Sequence, residues 1–210
     1  MSMITKRTSI ILALDVVDEK KAVAIAQSVK DEIDAIKINY PLLLNSSPSV
    51  ITTLSKIKAV ICDFKIADIP YINGLITKRA VELGASGVIC HSFVGLDSVK
   101  SCIDAAGGAD VYVVVEMSHP GGCENYGKFT IEYLQRINDL GVTGIVAPAT
   151  RPERITYYRS IFEDKLILSP GVGSQGGTKK DTLDAGADFV IVGRSIYEAV
   201  DPKATVRNLE

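Results

Sequence analysis

The chain has 210 residues, of which 47% are apolar, 23% charged and 6% aromatic, a composition typical of a folded globular protein rather than a disordered or fibrous one. Its 23 basic and 25 acidic residues leave a net charge of −2. Such a balance argues against the broad basic surface that nucleic acids or anionic membranes attract. We therefore expect no nucleic-acid partner and no membrane partner.

Neither the apolar runs nor the cysteines indicate a membrane span or a metal site. No apolar run reaches the roughly 18 residues that a bilayer span needs, and the apolar stretch near the start runs into Asp15 without a small-residue cleavage site. The four cysteines form no C-x-x-C pair, and no histidine is spaced from them as a zinc ligand. We expect a cytoplasmic protein with reduced thiols.

Eight short runs rich in β-branched residues recur along the chain and are nearly continuous in apolar residues, as are strands covered on both faces of a parallel sheet. The runs are SIILALDV (9–16), DAIKIN (34–39), KAVICDFK (58–65), SGVICH (86–91), DVYVVVEM (110–117), TGIVAP (143–148), KLILSP (165–170) and DFVIVG (188–193). The segments between them are long enough for helices, and several have apolar residues at helical spacing, such as Ile76, Ala80 and Leu83. For the sixth of these helices, Thr150 and Glu153 have the spacing of a capping box.

The number of repeated units predicts how the sheet closes. Divided among eight β-then-α units, 210 residues leave about 26 for each, close to the minimum for a closed (β/α)8 barrel. An open doubly wound sheet is the alternative, but its glycine-rich fingerprint is missing after the first run, where Asp15 stands instead. No linker or charge block divides the chain. The predicted fold class is therefore α/β, with residues 1–210 forming one single-domain (β/α)8 TIM barrel.

The carboxyl ends of the predicted strands, where barrel active sites lie, are strongly polar. In chain order they carry Asp15, Lys37, Asp63 with Lys65, His91, Glu116 with Ser118, Pro148, the turn 169–173, and Gly193 with Arg194. Charged side chains are rarely buried unless they are paired. We therefore expect several of these residues to meet at one mouth of the barrel.

The third run carries the densest group of charges. Alternation along a strand places Asp63 and Lys65 on one face, and Asp68 lies just beyond the strand end. With Asp15 and Lys37 from neighbouring strands, they would form an alternating array of acids and bases. A salt-bridge network that only closes the barrel is the alternative interpretation, but it would cost desolvation that apolar residues would not. The position of the array at the catalytic end favours function.

The same array argues against a metal site. Asp15, Asp63 and Asp68 alone would suit Mg²⁺, but the interposed lysines add positive charge where the cation would sit. We therefore expect a site without a metal ion. Because nearby carboxylates favour the protonated form of a lysine, Lys65 is predicted to be a general acid and a fixed positive charge for a developing anion.

Two glycine-containing loops follow the seventh and eighth runs and predict a phosphate site. In barrels these loops commonly bind phosphate, because glycines let backbone N–H groups approach the anion closely. Arg194 adds a bidentate donor, so the predicted ligand is a phosphorylated small molecule. The segment 173–180 is a candidate lid, with Gln175 placed to cross the phosphate. The candidate residues are Pro170, Gly171, Gly173, Gln175, Gly193 and Arg194.

A third feature follows the fifth run, where Ser118 offers a hydroxyl that can both donate to and accept from a heterocycle. The neighbouring His119 has no partners at the spacing of a catalytic triad. We therefore assign a binding role to Ser118 and a structural role to His119.

The motifs, in this order and over nearly the whole chain, resemble the orotidine 5'-phosphate decarboxylase family in its compact archaeal type. They are LALDV, IKI, DFKIADIP, EMSHPG, APATRPER, SPGVGSQGG and IVGRSIY. The D-x-K-x-x-D-I element is the most specific of them. The resemblance implies a homodimeric barrel that converts orotidine 5'-monophosphate to UMP and CO2 in pyrimidine biosynthesis, without metal or cofactor.

The resemblance also implies a role for each matching residue. Lys65 would donate a proton to C6 of the pyrimidine, Asp63 would lie beside the leaving carboxylate, and Asp68 would reach into the partner subunit's site. The implied substrate contacts are Asp15 and Lys37 to the ribose, Ser118 to the pyrimidine edge, and Gln175, Gly193 and Arg194 to the phosphate. The family commonly has Thr where this chain has Ile72, so that ribose contact would fall to a backbone group or to Asn73.

Three alternative functions remain open at this point. A sugar-phosphate decarboxylase or hexulose-phosphate synthase shares the Asp-x-Lys-x-x-Asp element but has an acidic residue for Mg²⁺ at the place of Lys37. A non-catalytic sensor of phosphorylated ligands would share the fold. Another phosphate-binding barrel, such as an enzyme of aromatic amino acid biosynthesis, would share only the two phosphate loops.

Overall fold

The computed structural model describes residues 2–209, and its eight strands are all parallel and close into a barrel in which β1 pairs with β8. The strands are β1 (Ile10–Leu14), β2 (Ala35–Ile38), β3 (Val60–Ile66), β4 (Gly87–His91), β5 (Asp110–Val114), β6 (Gly144–Val146), β7 (Leu166–Pro170) and β8 (Phe189–Val192). Each of the eight predicted runs contains one strand, and only β3 extends beyond its run, by one residue to Ile66. The predicted TIM barrel is therefore confirmed, and the doubly wound sheet is excluded.

Ten helices of the described chain surround the barrel. They are α1 (Glu19–Val29), α2 (Tyr40–Leu44), α3 (Val50–Ser55), α4 (Pro70–Glu82), α5 (Leu96–Ala105), α6 (Ile131–Asp139), α7 (Pro152–Arg159), α8 (Lys179–Asp184), α9 (Arg194–Tyr197) and α10 (Pro202–Arg207). The short helix α2 is not predicted by apolar spacing, because five residues are too few to show a helical period. Asn39 begins it, with its side-chain oxygen accepting from the N–H of Tyr40, and Pro41 lies in its first turn.

One predicted helix start is wrong. Thr150 does not cap α7, which begins at Pro152 after Arg151. The hydroxyl of Thr150 donates instead to the carbonyl of Ser118, at 2.9 Å. The capping-box spacing is therefore coincidental, and the hydroxyl links the loop after β6 to the loop after β5.

Alternation along the strands divides the apolar core into two clusters. Residues such as Leu12, Ile36 and Val60 lie in the cluster between strands and helices, whereas Ile11, Ala35 and Ile61 belong to the cluster inside the barrel. Along a strand, the next residue that faces into the barrel comes two positions later. In four strands, this next inward residue at the carboxyl end is charged or polar. The residues that follow Ala13, Ala35, Ile61 and Ile89 in this way are Asp15, Lys37, Asp63 and His91.

The amino-terminal segment covers the opposite end of the barrel. The Ser2 hydroxyl and the Met3 N–H donate to the buried Asp110 carboxylate, at 2.7 and 3.0 Å. Ile4 packs into the cluster inside the barrel. The residues that follow the inner apolar layer therefore face the other opening, at the carboxyl ends of the strands.

Within residues 2–209, the structure contains no helix with the length and apolarity that crossing a bilayer requires.

Asp34, buried just before β2, holds the segment that enters β1. Its Oδ2 accepts from the backbone N–H groups of Arg7, Thr8 and Ser9, at 2.9, 2.8 and 2.8 Å. Ser9 has φ of 60°, a conformation that side-chain-bearing residues rarely adopt without support. The carboxylate thus stabilises an unfavourable backbone turn.

We expect Asp34→Ala to lower the free energy of unfolding by about 2–3 kcal/mol, because three N–H groups lose a charged acceptor. Urea denaturation of the purified protein measures the change. The exposed Asp31 supplies the control, and Asp31→Ala should have little effect. A loss for Asp34→Ala as small as that of the control would contradict the role of the carboxylate.

Candidate active site

A cavity opens at the carboxyl ends of the strands, and ten of the thirteen residues predicted for the site line it. The ten are Asp15, Lys37, Asp63, Lys65, Ser118, Pro170, Gly171, Gln175, Gly193 and Arg194. The other three, Asp68, Ile72 and Gly173, lie outside its lining.

Four of the charged residues form a continuous chain of ion pairs at the cavity wall. Lys37 Nζ lies 3.4 Å from Asp15 Oδ1 and 3.0 Å from Asp63 Oδ2. Lys65 Nζ donates to both oxygens of Asp63, at 2.7 and 2.9 Å. The order Asp15, Lys37, Asp63, Lys65 is the alternation that the sequence predicts.

Burial and charge oppose each other at the two innermost members of this chain. Burial alone would raise the pKa of Asp63, but the ammonium groups of Lys37 and Lys65 outweigh it and hold that pKa below its usual value. Burial alone would lower the pKa of Lys37, but the carboxylates of Asp63 and Asp15 leave it above its usual value. Both groups are therefore ionised at neutral pH.

An irregularity in β3 presents Asp63 and Lys65 to the cavity. Ile61 and Cys62 pair with Gly87 and Val88, but the next pair joins Ile66 to Cys90, so four steps along β3 match two along β4. Inside this bulge Lys65 has φ of 44°, in the left-handed region that favours glycine.

Despite the bulge, side chains in β3 still alternate. Phe64 packs in the cluster between strands and helices, where its ring stacks on Tyr40 with centroids 5.4 Å apart. Asp63 and Lys65, on either side of it, both line the cavity. The predicted alternation of the three residues therefore agrees with the structure, although the strand is not regular.

His91 lies near this group and is neutral. Burial first, and then the charge of Lys65, lowers the pKa of His91 to about 4, against an opposing effect of Asp63. Its Nδ1 is hydrogen-bonded to the hydroxyl of Tyr126, which lies in a 3-10 turn after β5. The histidine therefore ties this loop to the barrel and adds no second positive charge beside Lys65.

Glu116, fully buried just after β5, anchors the loop that carries Ser118. Its carboxylate accepts from Arg151 Nε at 2.8 Å, Arg154 Nε at 2.7 Å and the Tyr158 hydroxyl at 2.8 Å. A buried carboxylate with two guanidinium partners is fully satisfied, so we assign Glu116 a structural role.

Loops after β5, β6 and β7 meet beside Ser118. The Arg151 guanidinium donates to the carbonyl of Met117, and Thr150 holds the carbonyl of Ser118. Gly171 has φ of +113°, and a Cβ there would lie 2.9 Å from Thr150 Cγ2 and 3.2 Å from Ser118 Cβ. Only glycine fits between these loops without displacing them.

The loop after β7 forms a compact turn. The N–H of Gly177 donates to the carbonyl of Gly171 at 3.0 Å, and the N–H of Gly173 to the carbonyl of Gly177 at 2.9 Å. Gly173 shapes this turn from outside the cavity lining, since a Cβ there would lie 2.5 Å from Ser195 Oγ. Gln175, at the exposed tip, and Arg194, at the start of α9, border the cavity from two sides.

Asp68 and Ile72 lie outside the cavity lining, in the segment that follows β3. Asp68 is exposed in the loop between β3 and α4, and Ile72 is half-buried in α4. Of the two groups expected to replace the threonine contact, a backbone group or Asn73, the side chain of Asn73 is already engaged within the protein. Asn73 is fully buried, its Oδ1 accepts from the N–H of Asp68, and its Nδ2 donates to the carbonyl of Ser98.

Several cavity residues are missed by reasoning from polar strand ends. Asn39 lies one residue beyond β2, and Tyr197 lies three residues after Arg194 on the same short helix. The inward period of two in β4, β5, β6 and β8 is the signal that would have found the apolar lining. These apolar residues are Ile89, Val114, Val146 and Ile191.

Within residues 2–209, no group of three or more His, Cys, Asp or Glu side chains is arranged to hold a metal ion. The chemistry of the donors agrees with this, because the ammonium of Lys37 lies between the carboxylates of Asp15 and Asp63. A hard cation between those two carboxylates would meet that positive charge.

A closed barrel with a charged cavity at the carboxyl ends of its strands and glycine-containing loops after β7 and β8 is the arrangement of phosphate-binding TIM-barrel enzymes. Comparison with known proteins narrows this class. The profile of the orotidine 5'-phosphate decarboxylase / HUMPS family matches residues 8–209. The chain belongs to this family.

Individual relatives agree with the family match. An orotidine 5'-phosphate decarboxylase of Methanococcoides burtonii is 47% identical over 97% of this chain and 96% of its own length. One of Methanosarcina mazei is 48% identical over 94% of this chain and 91% of its own. The crystal structure of the Methanocaldococcus jannaschii orotidine 5'-monophosphate decarboxylase with inhibitor BMP superposes with a TM-score of 0.89, at 41% identity over 97% and 96% of the two chains. The resemblance predicted from the motifs is confirmed.

The left-handed backbone at position 65 predicts that glycine is more stable than alanine there, which is the reverse of their usual order. We expect Lys65→Gly to be more stable than Lys65→Ala by about 0.5–1 kcal/mol, since a left-handed backbone costs non-glycine residues about 1–2 kcal/mol while glycine loses more entropy on folding. Urea denaturation of both variants, which lack the same ammonium, gives the difference.

Position 64 provides the control, because Phe64 is not among the residues with positive φ. There, Phe64→Gly should be less stable than Phe64→Ala, as is usual in a strand. If alanine were the more stable replacement at both positions, position 65 would carry no backbone strain.

Proposed function

We propose that this chain decarboxylates orotidine 5'-monophosphate to UMP and CO2 in pyrimidine biosynthesis, with Lys65 as the proton donor to C6 and without metal or cofactor. Membership of the orotidine 5'-phosphate decarboxylase / HUMPS family and the names of the relatives support the reaction. The observation that carries the assignment of Lys65 is its ammonium, which lies in the cavity wall and is held by two hydrogen bonds to Asp63.

The chemistry of the reaction suits this ammonium. When the bond between C6 and the carboxylate breaks, its electron pair stays on C6, in the plane of the ring, where no adjacent π system spreads it. A fixed cation close to C6 stabilises that charge. Lys65 then transfers a proton from Nζ to C6, giving UMP, and the neutral amine regains a proton from water.

Asp63 orients the ammonium and lies beside the position assigned to the leaving carboxylate. Its charge is offset by Lys37 as well as by Lys65, at 3.0 and 2.7 Å. The apolar residues Ile89, Val114 and Val146 line the same cavity, which suits a leaving group that becomes neutral CO2.

We assign the remaining substrate contacts to residues that line the cavity, in the roles that the family resemblance implies. We assign the ribose hydroxyls to Asp15 and Lys37, and the pyrimidine edge to the hydroxyl of Ser118. The phosphate falls to the exposed side of the cavity, where Gln175, Gly193 and Arg194 border it together with Pro170 and Gly171. Arg194 supplies the positive charge that a phosphate dianion needs.

The residues at the site support a reaction that needs no metal ion. The related Mg²⁺-dependent sugar-phosphate enzymes considered above would need an acidic residue where Lys37 stands, and Lys37 is instead buried between two carboxylates. Activity that survives a chelator would support this assignment, and activity that requires added Mg²⁺ would overturn it.

We further propose that residues 1–210 act as one catalytic domain and assemble as a homodimer through the face that surrounds Asp68. Three exposed apolar side chains lie there, Ile69 (61% exposed), Tyr71 (71%) and Leu75 (49%). Tyr71 and Leu75 are four residues apart and share one face of α4. A second copy on this face would cover them and bring Asp68 to the partner's cavity.

Lys65→Ala should lower kcat on orotidine 5'-monophosphate by more than about a thousandfold, because it removes both the proton donor and the fixed cation. Binding of UMP, which carries no carboxylate, should change little. Arg194→Ala should instead weaken UMP binding about ten- to a hundredfold, the effect of losing a charged hydrogen bond. The rate of reaction is measured from the loss of absorbance of the orotate ring, and UMP binding is measured by calorimetry.

The exposed residues Lys56 and Arg207 provide matched controls, and Lys56→Ala and Arg207→Ala should leave both kcat and UMP binding unchanged. Equal and mild losses in the Lys65 and Arg194 variants would contradict the separate roles. Inactivity of the unaltered protein on this substrate would overturn the proposed reaction itself.

Tyr71→Glu should dissociate the dimer, since it places a charge in the apolar face of α4, and should lower kcat because the partner's Asp68 is lost. Analytical ultracentrifugation measures the mass of the particle. Val200, which is exposed elsewhere on the chain, gives the control variant Val200→Glu. A Tyr71→Glu protein that stays dimeric would place the interface on another surface.

A further inference from the structure

Three hydrogen bonds enclose the backbone of Asp68 in a ring. The N–H of Asp68 donates to Asn73 Oδ1 at 2.9 Å, and Asn73 Nδ2 donates to the carbonyl of Ser98 at 3.3 Å. The hydroxyl of Ser98 donates back to the carbonyl of Asp68, at 2.9 Å. Asn73 lies in the first turns of α4 and Ser98 in the first turn of α5. We call these two side chains the Asp68 clamp.

The clamp is buried, whereas the residue it holds is exposed. Asn73 is 0% and Ser98 2% exposed, but Ala67, Asp68 and Ile69 all lie at the surface. Buried amide and hydroxyl groups destabilise a protein unless they are hydrogen-bonded, and here each is bonded to Asp68 or to the other member of the clamp. Hydrogen bonds sheltered from water hold their geometry more firmly than those at the surface.

We propose that Asn73 and Ser98 are positioning residues that fix the backbone of Asp68, so that its carboxylate enters the partner subunit's site at a set position. This inference rests on the proposed function, which places Asp68 there. Asp68 lies two residues beyond β3 and outside the strand's own hydrogen bonds, so the sheet alone does not fix it. A catalytic group misplaced by about 1 Å costs about a hundredfold in rate.

A purely structural role for the clamp makes a different prediction. Asn73 and Ser98 also join α4 to α5, and such a role would depend only on the packing of these helices. Loss of the Ser98 hydroxyl would then have the same effect on activity whether or not residue 68 is an aspartate. A positioning role requires that the effect vanish once the Asp68 carboxylate has been removed.

The experiment is a double-mutant cycle on the chain of 210 residues in the assembled form in which it purifies. Ser98→Ala should lower kcat/KM for orotidine 5'-monophosphate about ten- to a hundredfold, as expected for a misplaced catalytic group. In an Asp68→Asn background the same change should add less than about a twofold loss. Ser28→Ala removes a hydroxyl that donates in the same way to a carbonyl of its own helix, that of Ile25 in α1, and should leave kcat/KM unchanged.

Any one of three results for Ser98→Ala would overturn the clamp. These are an equal loss of activity in both backgrounds, dissociation of the dimer in the ultracentrifuge, and no effect on activity at all. Full activity of Asp68→Asn would overturn the clamp together with the role of Asp68, while leaving the decarboxylation in place.

A second measurement does not depend on activity. Hydrogen exchange of the Asp68 amide, followed by NMR, should be at least about tenfold faster in Asn73→Ala than in the unaltered protein, because the bond to Asn73 Oδ1 is lost. Unchanged exchange would overturn the clamp even in an active enzyme. Inactivity of the unaltered protein, with exchange as expected, would instead count against the proposed function alone.

Discussion

The carboxylate of Asp63 is buried between two ammonium groups, and the mouth of the barrel is organised around this contact. The two lysines differ in exposure, since the side chain of Lys37 is 7% exposed and that of Lys65 is 29% exposed. Lys37 is therefore enclosed and acts as a permanent counter-charge within the wall. Because Lys37 already offsets much of the charge of Asp63, the ammonium of Lys65 is left accessible to a ligand in the cavity while remaining anchored.

The barrel itself could be predicted because its signal is distributed over the whole chain. Eight continuous apolar runs, each followed by a segment of helical length, leave few topologies other than a closed parallel barrel. Local features that depart from this regular pattern leave no comparable signal in the sequence. The helix α2 is too short to show a period, and the bulge in β3 depends on pairing with β4, which is not visible within the segment KAVICDFK itself.

The site could be predicted to the extent that it follows from the inward period of the strands. Asp15, Lys37 and Asp63 are the next inward positions after apolar residues, so their meeting is a property of the fold. The hydrogen bonds that link the loops around the site could not be predicted in this way. Thr150 reaches the carbonyl of Ser118 across 32 residues of sequence, and a contact to a backbone carbonyl leaves no pattern in the side chains at either end. The predicted role of Asp68 and the homodimer remain predictions, since they concern a second subunit.

The bulge in β3 constrains how the length of this strand can change. It contains an even number of extra residues, because four steps along β3 match two along β4, and an even number preserves parity between the two faces. Insertion or deletion of a single residue near Phe64 would turn the ammonium toward the helices and an aromatic or aliphatic side chain toward the ligand. Length variation in β3 is thus restricted to pairs of residues, whereas the exposed tip at 173–176 is free of this restriction.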